Sequence, residues 1–128
     1  MKNYFSWETA MGNMTPSYHT DVVNKDGISL LACILMDDGG VPYLETLPWL
    51  TEGIDKIASI KNKEIDFYDW SRETWGAELT LGEVKIYSLH DEDYFQLLSL
   101  DEFEKALVAW KDFIQSTPEV DLKVNIEI

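Results

Sequence analysis

Few residues in this chain are equipped for chemistry. His19 and His90 are its two histidines, and neither has a metal-ligating partner at helical or loop spacing. The single cysteine, Cys33, sits in the apolar run Ile28–Met36, where burial leaves a thiol unreactive. No metalloprotease, nucleophile-elbow, phosphate-loop or dinucleotide signature occurs. Asp37-Asp38-Gly39-Gly40 lacks the alternating oxygens and distal glutamate of a calcium loop and reads as a turn. His90-Asp91-Glu92-Asp93 sets a base beside three carboxylates, but without ligand spacing it reads as a solvated loop between two strands. The expectation is a chain that is not an enzyme, has no catalytic residue and needs no metal or cofactor.

The stretch from Asp66 to Trp75 points to recognition instead. Tryptophan, tyrosine and arginine are the residues that dominate interface energetics, and here they are interleaved with carboxylates. Asp66, Asp69, Trp70 and Glu73, together with Asp91, Glu92 and Asp93, form the candidate partner-binding set. A core role for Trp70 and Trp75 is the competing reading, because aromatics serve the core more often than a surface.

Charge narrows the partner. The 128 residues carry 24 acids against 10 bases, a net charge of −14, with pI near 4.3. Residues 1–60 hold 8 of the acids and residues 61–128 hold 16. Nucleic acid and anionic membrane surfaces both require a basic footprint, so both are excluded as partners. A basic protein is favoured, since its approach is accelerated by the field of the chain.

These residues need elements to position them. Tyr4–Trp7 reads as a short strand and Gly12–Thr20, rich in turn formers, as a loop. Ile28–Met36 reads as a central strand because of its length and the turn that closes it, with Asp21–Asn24 pairing as a hairpin through Asp26-Gly27. Leu47, Leu50, Ile54 and Ile57 mark a helix over Leu47–Ser59, opened by Pro48 and weakened by Gly53. Four strands follow. Glu64–Asp69 places Ile65 and Phe67 on one face. Ala77–Leu81 and Val84–Leu89 join through Gly82-Glu83, with Gly82 able to take positive φ, and Tyr94–Leu98 comes last. Ser99-Leu100-Asp101-Glu102 is a capping box opening a helix over Leu100–Ser116, with Phe103, Ala106, Leu107, Trp110, Phe113 and Ile114 in its buried stripe. Val120–Ile128 alternates as a half-buried strand. The expected fold class is α+β in a single domain, residues 1–128: one mainly antiparallel sheet of about five to seven strands with two helices packed on one face.

The first residues lack the apolar stretch of a secretion signal, and no apolar run reaches membrane-spanning length, so a cytoplasmic address is expected. The segment Val84-Lys85-Ile86-Tyr87, Leu98 to Phe103, Leu107, and Trp110-Lys111-Asp112-Phe113-Ile114 resembles the small bacterial immunity proteins of polymorphic and contact-dependent growth inhibition toxin systems. The resemblance covers residues 60–116, under half of the chain. It implies an inhibitor, monomeric when free, of one cognate basic toxin domain, often a nuclease. It carries over no catalytic or binding residue, because the family has no catalytic residues and its members bind through varied surfaces. The alternatives are an acidic adaptor or nucleic-acid-mimicking regulator of another basic protein, and, third, an enzyme of unrecognised type.

Overall fold

The computed structural model describes residues 2–128. The chain is α+β, with seven strands in two antiparallel sheets rather than one, and three helices rather than two. Strands β1 (Asn3–Ala10) and β2 (Asn13–Thr20) form a hairpin whose two-residue turn, Met11-Gly12, takes φ of 50° and 82°. Positive φ at both positions is what a tight right-twisted hairpin demands. The loop expected over Gly12–Thr20 is therefore a strand. Pro16 is tolerated because β2 is the edge of its sheet, where a missing amide breaks no ladder.

The apolar run after Asp26-Gly27 is corrected from strand to helix: α1 spans Leu30–Leu35. Ser29 caps it through Ala32 N, and the Gln96 side chain accepts from the amides of Leu30 and Leu31 at 2.7 and 3.2 Å. Helix ends leave such amides without partners, and these two groups satisfy them. The helix touches strands of both sheets and is buried on most sides, so its sequence shows no amphipathic period. Asp21–Asn24 forms no strand. Instead Asn24 closes a turn, its amide donating to Ile28 O.

A 3-10 turn, Tyr43–Thr46, leads into α2 (Leu47–Lys61). The strands β3 (Phe67–Ser71), β4 (Trp75–Thr80), β5 (Val84–Ser88) and β6 (Asp91–Leu98) then run as an antiparallel meander. The β4–β5 turn is Leu81-Gly82, bracketed by the Thr80 amide donating to Glu83 O, and Gly82 stays outside the left-handed region. The Asp91-Glu92-Asp93 segment is not a loop but the start of β6, which meets β5 at a bulge. Helix α3 (Leu100–Ile114) opens with the full capping box, the Ser99 hydroxyl accepting from Glu102 N and the Glu102 carboxylate from Ser99 N. The last strand, β7, is Lys123–Asn125 and pairs with β1, shorter than the alternation of Val120–Ile128 suggested.

One buried cluster joins all of this. Phe5 of β1 meets Trp110 and Phe113 of α3, while Phe103 of α3 meets Trp70 of β3. The helices thus contact both sheets. No helix among the described residues is long and apolar enough to cross a membrane.

Candidate functional site

The two faces of the β3–β6 sheet have different fates. On the inner face Trp70, Ala77, Ile86 and Gln96 lie in register and are buried beneath α1 and α2. The side chains that alternate with them face away from the helices, and several are open: Phe67 is 51% exposed, Phe95 41% and Leu97 48%. The strand expected over Glu64–Asp69 starts later, at Phe67, so Ile65 precedes it and Phe67 lies on the open face. Phe67 lies on one edge strand and Phe95 and Leu97 on the other, with Glu78, Lys85 and the Tyr87 ring between them, so the face presents apolar side chains interspersed with charge.

Tyr87 stands at the middle of the open face. Its hydroxyl donates to Asp69 Oδ1 at 2.7 Å. Its ring covers Gly76, where a Cβ would lie 2.7 Å from Tyr87 Cζ. Burial first, then the hydrogen bond to Asp69, then the charges of Asp69, Glu78 and Glu92 push the phenol well above its ordinary value. Only Asp69 touches the hydroxyl; Glu78 and Glu92 act on it through their charge. Asp69 and Glu78 sit directly opposite each other on neighbouring strands, an arrangement of like charges that costs stability. Lys85 lies opposite Glu78 on the other side, but its Nζ sits over the Phe95 ring at 5.1 Å and bridges no carboxylate. Ion pairs among the described residues are confined to His19–Glu8 and to Lys61 with Asp101 and Glu104.

The expected site residues divide. Asp69 is central to this face, and Glu92 is close enough to act on Tyr87. Glu73, Asp91, Glu92 and Asp93 gather at one end of the sheet, where the Leu89 amide donates to Thr74 O and ties the β5–β6 turn to the β3–β4 turn. Asp66 lies at the other end of β3. All six are exposed. Trp70 is corrected: it is 1% exposed, stacked on Trp49 at 3.9 Å, with its Nε1 donating to Trp49 O. It is part of the core and no partner can reach it. Phe67, Glu78, Tyr87, Phe95 and Leu97, which share the sheet face of Asp69, were not among the expected candidates. The alternation on β4 and β5 is visible in the sequence, but which face the helices leave uncovered is not.

One grouping outside this face tests the enzyme reading. Ser6, Glu8 and His19 meet on the outer side of the β1–β2 hairpin, with His19 Nε2 at 3.1 Å from Ser6 Oγ and 2.9 Å from Glu8 Oε1. Both partners share one ring nitrogen, and Ser6 itself donates to Glu8. A nucleophile's base needs its acid on the opposite nitrogen, so this wiring orients nothing. No cluster of three His, Cys, Asp or Glu among the described residues has metal-holding geometry. Cys33 is half-buried, and burial, then Asp37, raises its thiol above the ordinary value.

No protein-family profile, curated protein or solved structure matches the chain. The site's meaning therefore rests on its geometry.

Proposed function

We propose that this chain is a binding protein that grips a basic protein partner with the open face of the β3–β6 sheet. The observation that carries this is the Asp69–Glu78 pair: opposed carboxylates beside Tyr87, with the neighbouring Lys85 turned to Phe95 instead of neutralising them. A partner's arginine or lysine would relieve the repulsion, while Phe67, Phe95 and Leu97 supply apolar contact. Glu73, Asp91 and Asp93 extend the acidic rim and steer the encounter. Within this class we favour an immunity-type inhibitor that neutralises a basic toxin domain; the acidity and the resemblance over residues 60–116 support it.

The test begins with recovery of a stoichiometric basic protein from the native host, followed by binding kinetics against salt. The triple variant Asp69→Asn, Glu78→Gln, Glu92→Gln should slow association about tenfold or more and flatten the salt dependence, without lowering the melting temperature, because a like-charge pair has been removed. Unchanged kinetics would mean that another surface binds. For the inhibitor, the recovered partner must be toxic when expressed alone and harmless when co-expressed with this chain. A partner that is harmless alone would leave only the adaptor reading.

A further inference from the structure

A cavity of about 540 Å³ opens between β2, the C-terminal end of α1 and the 3-10 turn; it shares no lining residue with the open face of the β3–β6 sheet, and its chemistry does not depend on the function proposed there. Its volume falls in the range of small-molecule sites. Leu35 and Trp110, both buried, contribute to its lining, and Met14, Pro16, Met36 and Tyr43 are among its walls. Methionines and aromatic rings together make an apolar, polarizable surface that also attracts cations.

Asp38 is the one charged residue that lines it, and no lysine, arginine or histidine does. The Asp38 carboxylate is held in place through Oδ1, which accepts from Gly40 N at 2.8 Å. The loop that carries it depends on Gly39 and Gly40, at φ of 64° and 84°. At Gly39 a Cβ would lie 2.5 Å from Glu73 Cγ, so the loop is seated closely against the β3–β4 turn. No cation pairs with Asp38 among the described residues. An extended peptide has little to pair with along this edge. Pro16 has no amide, and the Tyr18 amide already donates to Met36 Sδ at 3.4 Å. The site is shaped for a compact ligand rather than an added strand.

We propose that this cavity binds a small apolar organic ammonium, with the hydrocarbon against Leu35, Trp110 and the methionines and the charged nitrogen at Asp38. The −14 charge of the chain adds to that preference and disfavours anions.

Amide and indole resonances of the full chain, followed during titration, test this. The probes are 2-phenylethylammonium, its neutral counterpart 2-phenylethanol, and phenylacetate. The ammonium should shift Met14, Met36, Tyr43 and the Trp110 indole saturably, about tenfold more tightly than the alcohol, and phenylacetate should not bind. In Asp38→Asn, which keeps an acceptor for Gly40 N, the ammonium should lose most of its advantage over the alcohol. Val41→Trp, at an exposed lining position, should abolish both. The unchanged remainder of each variant's spectrum reports that it is folded. Equal binding of ammonium and alcohol to the natural chain, shifts centred elsewhere, or shifts that survive Val41→Trp would overturn the proposal. Tighter binding of an acetylated Phe-Lys dipeptide amide than of the ammonium would also overturn it, reassigning the cavity to a protein segment.

Discussion

A glycine in the middle of a helix ordinarily weakens it, and replacing one with alanine gains about 1 kcal/mol from propensity alone. Gly53 is the exception. A Cβ there would lie 2.8 Å from Trp70 Cε2, and the Trp70 ring cannot retreat, stacked on Trp49 and edged by Phe103. Gly53→Ala should therefore destabilise, since overpacking costs about 1–3 kcal/mol, and urea denaturation measures it; a stabilised variant would show that the stack yields. Glu8 offers a second residue-scale prediction. Hydrogen bonds from His19, then Ser6, hold its carboxyl below the ordinary value of 4.5. Its folded pKa is lower than its unfolded one, so its contribution is present at neutral pH and lost as pH falls through the folded value. The melting-temperature gap between the natural chain and Glu8→Gln should then close in acid. A gap that stays constant with pH would show that this contact is not linked to titration. At this scale the sequence reading named Asp69 and Glu92 as candidates but not Glu78 or Tyr87, because strand alternation names two faces without saying which one is covered.

Helices α1 and α3 contrast in how much of their making is local. The capping box, the buried stripe and Pro118 beyond the end are contiguous in sequence, so α3 was legible, and Ser99→Ala should cost about 1 kcal/mol. Trp110 is buried against Phe5, and Trp110→Ala should cost about 3–5 kcal/mol. A smaller loss at either position in thermal or urea unfolding would mean that the contact is not maintained in solution. In α1 two of the amides at the N-terminal end are satisfied from β6, by Gln96, far away in sequence. Nothing in Ile28–Met36 announces that contact, and a short apolar run without period reads equally as strand or helix. Gln96→Leu should strand two buried amides and cost about 1–3 kcal/mol; a neutral outcome would mean that α1 finds another cap. β2 was lost for a related reason: its Asn13, Pro16 and Ser17 are turn formers, and only its place at a sheet edge makes Pro16 compatible with a strand.

Across the whole molecule, −14 charges on one compact chain repel one another. Raising ionic strength to about 0.1 M, where screening reaches about 10 Å, should raise the melting temperature of the free protein while slowing its capture of a basic partner. A melting temperature that falls with salt would show that attractive pairs outweigh the repulsion. Dialysis against a chelator should leave the melt unchanged; a large loss would reveal a structural metal. What the sequence determined by itself was whatever depends on neighbours in the chain: the α+β class, the β4–β5 hairpin, α2 with Pro48 in its first turn, α3 and its box, and the sign of the charge. What only the tertiary structure decided was whatever depends on distant pairing. The strands divide into two sheets because β7 returns to β1, with Phe5 opposite Val124, and Trp70 is core because α2 presents Gly53 and Trp49 to it. Such contacts lie beyond the few residues over which propensity, periodicity and capping act, so burial settles them only once the chain has closed on itself.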